Sequence, residues 1–585
     1  MPHHLRSSAL LLCTFVASSS EAAIYRVGSG AGCTHATIEA AIDAATHSAD
    51  EDHEVRLLVT EYPVAGISIE RPPGAFALVG GYASCLASAP IPGQRSVLIG
   101  NGANPVLRVR DVHTLQLSNL DVHGGRGWEG GGIDIASSSN GFEVDTITLS
   151  NTLVRDNHAL RGGGLSVVGS VTPEIPINLE VVLDGDSGVV GNTASMDGGG
   201  IFCAHARIVA KDASHVGNNT ASTGNGGGLF GDNCNVTLGS RGRDGAVLWS
   251  NAAPLGKGGG IRLVGQRAGA SLHTIDPDVP ARVVGNSARS GGAISAEGFG
   301  TLTLIDVALE RNSAQIAGAA IELSSSGRLQ MRNEPHYGPV GTVRCTDAEA
   351  CNLVRGNRIL ADDSTSGGAV IDAHSSSNSL VVSFHGTRFD FNEGGTVTRL
   401  AGTSTQVMFD GAVLVENTLG GPLIDMDSTS RVLVMASSTI AHNTLGAGAP
   451  VVRGFGHCVG VSSGTLLRNS IVWQPGHALI DPFTAISPAC FHHLVGSGFG
   501  LLPPSAERVE ADPMFVDAEH GDYRVTSLSR ALDFAPAQAF ESTRDHGPRV
   551  IDIEDLANAF GPQDVGAYEQ ASDRVSADGF DCDDC

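Results

Sequence analysis

The sequence predicts an all-β chain wound as a single right-handed parallel β-helix solenoid with a short N-terminal capping helix. Three observations predict it. An asparagine recurs along the chain with an apolar residue three positions before it. A glycine pair or its remnant follows these copies in step, and the segments between alternate or are β-branched, a composition that opposes long helices.

The recurring asparagines are Asn157, Asn192, Asn219, Asn251, Asn286, Asn312, Asn357, Asn392, Asn417, Asn443 and Asn469. Three residues before them stand Val154, Val189, Val216, Leu248, Val283, Leu309, Val354, Phe389, Leu414, Ile440 and Leu466. With 41% of the chain hydrophobic, an unbroken match at every copy is not an accident of composition. The glycines keep the same phase, from Gly130-Gly131-Gly132-Ile133 through Gly162-Gly163-Gly164-Leu165 and Gly226-Gly227-Gly228-Leu229 to Gly367-Gly368-Ala369-Val370. Successive asparagines are 25 to 45 residues apart, the span of one coil with corner loops of unequal size. One coil cannot bury its apolar side, but coils stacked at about 4.8 Å pair every strand above and below and form a continuous core. An asparagine at a tight corner tolerates left-handed geometry and offers its amide to the asparagine of the next coil, while glycine pairs permit a sharp turn. The spacing predicts about 14 to 18 coils between residues 50 and 510, with the asparagines lined up at one corner.

The ends read differently from the coils. Residues 1–22 have the zones of a secretory signal: Arg6, an apolar run from Ala9 to Ala17, and Ser20-Glu21-Ala22 before the expected cleavage. Residues 23–50 form an N-terminal cap, in which Thr37 is the N-cap of a helix burying Ile38, Ala41, Ile42 and Ala45 as a lid on the first coil. The repeats then occupy 51–510, followed by a C-terminal module over 511–570 and an acidic tail over 571–585.

Charge and cysteine usage bound the function. The signal removes one charge of each sign, so the mature chain keeps the net charge of -26. Such a surface repels nucleic acid and anionic membranes, and it disfavours acidic polysaccharides unless a divalent cation bridges the two. No later stretch is long and apolar enough to span a bilayer. The mature cysteines are Cys33, Cys85, Cys203, Cys234, Cys345, Cys351, Cys458, Cys490, Cys582 and Cys585, an even number that in an oxidising compartment reads as disulfides. Pairing neighbours in chain order is the simplest connectivity. Cys203 and Cys234 open neighbouring repeats, so stacking places them within bridging distance. Near Cys458 and Cys490, His457, His477, His492 and His493 leave a metal site as the rival reading, although the spacing matches no common zinc pattern.

Several stretches resemble the pectin-lyase-like β-helix proteins that bacteria export. They are Tyr25-Arg26-Val27-Gly28-Ser29-Gly30 with Cys33, Thr37-Ile38-Glu39-Ala40-Ala41-Ile42, and Gly80-Gly81-Tyr82-Ala83-Ser84-Cys85. At the other end Asp512-Pro513-Met514-Phe515-Val516, Gly521-Asp522-Tyr523-Arg524-Val525 and Asp564-Val565-Gly566-Ala567-Tyr568-Glu569 resemble a choice-of-anchor Q domain. There Ser529-Arg530 replaces that module's usual Ser-Pro. The resemblance implies the fold and an exported, surface-associated protein.

It does not imply a lyase, because activity resides in particular side chains. The carboxylate series of glycosidases with this fold is missing; Asp362-Asp363, before Gly367, reads as a solvated turn. A calcium-assisted lyase needs clustered carboxylates and a basic residue, yet the chain has only two lysines, Lys211 and Lys257. Asp184-Gly185-Asp186 and Asp276-Pro277-Asp278 are the candidates to hold calcium, each more simply an acidic turn. No other cofactor is implied, and no catalytic residue is assigned. Two functions follow: a non-catalytic secreted or surface scaffold that binds an extracellular glycan or protein, and, as the alternative, a divergent polysaccharide lyase or glycosidase.

Overall fold

The computed structural model describes residues 22–570, apart from 49–51, 139–143, 171–176, 241–245, 274–280, 333–351, 361–367, 376–378, 403–404, 427–431, 455–463, 482–489, 503, 538–550 and 554–557. Parallel strands stacked coil on coil dominate it, forming the right-handed β-helix. One coil runs through four faces. Asp145–Ser150 belongs to the first face, Leu153–Arg155 to the second, His158–Arg161 to the third and Leu165–Val168 to the fourth, after which Leu179–Asp184 returns to the first. The first two faces form a 30-stranded sheet, and the third and fourth form sheets of 10 and 13 strands. Counted on the first face from His53–Leu58 to Phe491–Gly496, the described coils number 15.

Strand alternation drives the winding. In His53–Leu58 and Asp145–Ser150 every second residue is buried, and these inward side chains join one core that extends from Val27 to Leu502. Phe384, Phe389 and Phe409 stack within it, with ring centroids 5.1 to 5.8 Å apart. At the N-terminal end Thr37 accepts a hydrogen bond from the Ala40 amide, and helix Ile38–Thr46 buries Ile38, Ala41, Ile42 and Ala45. The open end of the core is thereby covered by the expected helix.

Ten of the asparagines form one corner ladder between the second and third faces. The Asn251 Oδ1 accepts from the backbone and side-chain amides of Asn219 at 3.1 and 3.0 Å. Its own Nδ2 donates to Asn286 Oδ1 and to the Val216 carbonyl, at 2.9 and 3.1 Å. The same joint repeats from Asn157 to Asn443. Two corrections follow. The left-handed residue is not the asparagine but the one before it, as at Asp156, Asn218, Ser250 and Glu416; the asparagine is thereby turned inward, where its amide is buried. Asn469 is not in the ladder. It lies at the bend between the first and second faces with φ 51°, and Gln474 takes the last rung, accepting from the Asn443 amide at 3.1 Å. In this coil the distance from inward Val472 to the corner is one residue shorter, and the longer glutamine side chain reaches across.

The glycines make the corner between the third and fourth faces. Gly198 has φ 70°, and a Cβ on Gly199 would stand 2.3 Å from the Gly227 carbonyl oxygen of the next coil. Any side chain there would separate the coils.

Residues beyond 511 fold back onto the second face. Tyr523, Ala567 and Tyr568 bury against Val413, Val415 and Ala441. Gly566 donates to the Asn469 carbonyl at 2.9 Å, and Ala567 to Thr439 Oγ1 at 3.0 Å. A Cβ on Gly566 would meet Ile471 at 2.8 Å, which explains a glycine in that segment. Among the described residues, no helix is long and apolar enough to cross a membrane.

Candidate functional site

A cleft with a volume of about 1000 Å³ lies on the first face. Its floor is built from outward positions of successive strands. Glu180, Arg207, Asn235 and Gly269 are register partners in one row. A second row runs through Thr237, Ser271 and Thr303. Thr301, Arg267, Val144 and Ile177 also line it. At about 4.8 Å per coil, five strands give a floor roughly 19 Å long.

Arg207 lies 3.2 Å from Glu180, the one carboxylate among the lining residues. Hydrolysis of a sugar bond by paired carboxylates requires two, roughly 5 to 9.5 Å apart. What this floor presents is a set of hydrogen-bonding hydroxyls, one amide, two guanidinium groups and the edge of a glycine dip.

A second polar assembly follows the glycine corner. Outward residues of the fourth face succeed one another as Arg262, Ser295, Glu322, Asp372, Arg399, Asp425. Lys257, at the end of a third-face strand, donates to Glu322 at 2.6 Å, so the two faces meet across the corner. Arg262 donates to Ser295 at 2.6 Å and pairs with Glu297, and Ser295 donates to Glu322. Arg399 grips Asp372 with two bonds of 2.8 and 2.7 Å. Arg161 covers the ring of Phe202, which stacks on Phe230 at 5.6 Å. These charges are satisfied by one another, and their geometry joins coils.

The disulfides tie neighbouring levels. Cys33 is joined to Cys85 across 52 residues, fastening the N-terminal segment to the early coils. Cys203 and Cys234, 31 residues apart, are joined inside the core with a Cα separation of 5.9 Å. Cys490 is also disulfide-bonded. Cys345, Cys351, Cys458, Cys582 and Cys585 lie outside the described residues, as do Asp276-Pro277-Asp278 and Asp362-Asp363.

Asp184-Gly185-Asp186 sits at the bend between the first and second faces. Asp186 pairs with Arg95 at 3.1 Å, while Asp184 shares a hydrogen bond with Asp212 of the next coil, which raises the Asp184 carboxyl above its ordinary range; burial adds to the shift. Among the described residues no group of three or more His, Cys, Asp or Glu side chains could hold a metal ion. His492 instead pairs with Glu507 at 2.7 Å, and that bond lowers the Glu507 carboxyl. The Asp184 shift sets a pH dependence. A carboxyl raised on folding makes the native state bind more protons, so its contribution falls as pH rises from about 4 through the folded value. Asp212→Asn should flatten this slope and raise the melting temperature at pH 7 by about 1 °C. Equal melting curves for both proteins from pH 4 to 7 would remove the shared proton from the account.

Sequence reasoning missed Glu180, Arg207, Asn235, Thr237 and Arg267. They are outward residues without a motif, and only the register of separate strands collects them. No protein-family model matches the chain, and no curated protein matches it.

Proposed function

We propose that the chain is an exported β-helix protein, secreted or held at the cell surface, which binds a glycan through the first-face cleft without turning it over. The observation that carries this reading is the cleft floor, where Asn235, Thr237, Ser271, Thr301 and Thr303 accompany two arginines and a single ion-paired carboxylate. A few placed polar groups on a rigid concave surface suit a ligand rich in hydroxyls. Export is supported by the signal-like residues 1–22 and by paired cysteines, which persist in oxidising compartments. On the same reading the coils are related to pectin-lyase-like proteins, and residues 511–570 act as a choice-of-anchor Q-like end module. Its Gly566-Ala567-Tyr568 segment seals the second face.

The test uses the chain without residues 1–22 against neutral glycans, pectate, alginate and galacturonan, with and without calcium. Binding to at least one glycan is expected, weakened about tenfold or more by Arg207→Ala and by Thr237→Val at unchanged melting temperature, each change removing roughly one ligand hydrogen bond. Affinity indifferent to both substitutions would exclude the cleft. Unsaturated products or new reducing ends would instead establish the enzyme.

A further inference from the structure

On the second face Val189, Val216, Leu248 and Val283 point into the core, and the residues after them form an outward row: Val190, Gly217, Trp249 and Val284, register partners from coil to coil. The glycine in this row is covered. A Cβ on Gly217 would stand 2.0 Å from Cε2 of Trp249 in the next coil, and 2.4 and 2.5 Å from its Nε1 and Cδ2. Nε1 and Cδ2 are both bonded to Cε2, so these near-equal distances put Gly217 beneath the face of the indole and not beyond its edge. The ring therefore lies flat on the sheet, in the space that a side chain at 217 would take. Its other face points away from the solenoid. Trp249 is half-buried and its Nε1 is buried, so solvent meets the carbon face of the ring.

The rim of this platform is low and polar. After the row residues, toward the third face, come Gly191, Asn218, Ser250 and Gly285, all left-handed, with φ of 69, 54, 51 and 65°. Two of these have no side chain to raise a wall. The other two, Asn218 and Ser250, are exposed and offer an amide and a hydroxyl. Toward the first face Arg282 is spent on Glu310, to which it donates at 3.0 Å. Farther along the same register row, Val415, Ala441 and Trp473 are covered by the C-terminal segment with Phe515, Tyr523 and Tyr568. Trp473 thus already has its aromatic partners, while Trp249 keeps a face toward solvent.

We infer that the Trp249 indole is a stacking platform for a neutral pyranose, a sugar site separate from the first-face cleft. A pyranose with its axial hydrogens on one side presents a flat patch of C–H groups ringed by hydroxyls. The electron-rich face of the indole attracts such weakly positive C–H groups, and the ring hydroxyls find the Asn218 amide and the Ser250 hydroxyl at the rim. A platform already held flat by Gly217 loses little freedom on binding. Other flat partners fit less well. A nucleobase brings phosphate, which a chain of net charge -26 repels. Methylated ammonium groups take a cage of several rings and proline-rich segments an aromatic-lined groove, whereas Trp249 is flanked in its row by Val190 and Val284. The same charge, with Arg282 already paired, favours a neutral sugar over an acidic one. The two sites share coils but not faces: Asn235–Ser240, which carries Asn235 and Thr237 of the cleft, precedes Ala246–Trp249 in the chain.

The test titrates the chain without residues 1–22 with neutral oligosaccharides of glucose, galactose, mannose and xylose while following tryptophan emission. At least one should change the emission with a Kd of about 1 mM or tighter. The change should vanish in Trp249→Phe, which leaves Trp128 and Trp473 in place. Gly217→Ala keeps the indole but tips it off the sheet, and should weaken binding about tenfold at an unchanged far-ultraviolet circular dichroism spectrum. Arg207→Ala should leave the midpoint of the emission change where it was, so failure of the cleft and failure of the platform are read separately. Four results would each overturn the inference: no oligosaccharide alters the emission, the change persists in Trp249→Phe, Gly217→Ala binds as the unaltered chain does, or a proline oligomer shifts the emission and no sugar does. An emission change abolished by Arg207→Ala and indifferent to Gly217→Ala would place the sugar in the cleft alone.

Discussion

Asn251→Ala should destabilise the solenoid by about 3 kcal/mol or more, a large effect for one polar side chain. The side chain is fully buried, and its Oδ1 satisfies both the backbone and side-chain amides of Asn219. Alanine leaves both donors without an acceptor in a place water does not reach, at about 1 to 3 kcal/mol each. Denaturant titration measures the loss, and hydrogen exchange should locate it at the Asn219 amide and the adjoining coils, since a solenoid opens by neighbouring units. The Asn219→Ala/Asn251→Ala double variant should cost less than the sum of the singles, because the bond between them is lost only once. Asn469→Ala serves as the contrast: its Nδ2 is buried without a partner, so removal should cost no more than about 1 kcal/mol. Equal losses at Asn251 and Asn469 would show that the ladder is not what holds the corner.

Removing the Cys203–Cys234 bridge as the paired Cys203→Ser/Cys234→Ser variant should cost about 3 to 4 kcal/mol, given a closed loop of 31 residues. Serine adds hydroxyls to a dry core, so Cys203→Ala/Cys234→Ala should be less harmful and isolates the cross-link itself. The effect is expected in the coils from Leu165 to Leu238, whereas reduction of Cys33–Cys85 should loosen the N-terminal helix first. Protease cleavage mapped by mass spectrometry separates the two. A cysteine-free chain as stable as the oxidised one would mean that strand pairing alone fixes these levels.

The coils were legible because inward positions obey a period that buried side chains must keep. Val154, Val189 and Val216 recur in phase with their asparagines since each must enter the same core column and each amide must reach the next. The one misplaced rung shows where that logic stops. Leu466 and Asn469 have the right spacing, but Gly464–Trp473 runs through two faces, and the corner is met later by Gln474. Outward positions obey no such rule. Lys257 and Glu322 are 65 residues apart and meet only because the chain folds sharply at glycine, and Arg207 joins Asn235 and Thr237 only through strand register. Neither assembly has a local signature that a sequence could display.

The repeated asparagine joint also makes each coil a replaceable part. Every described level from Asn157 to Asn417 accepts and donates through the same atoms, so the corner does not register which coil lies above it. A segment copied or lost between equivalent asparagines, such as the 32 residues from Asn219 to Asn251, would leave the joint intact. Its loss would shorten the cleft by one strand. Tandem duplication and deletion are therefore cheap routes for this architecture to change the length of ligand it spans, and only whole-coil steps are open to it.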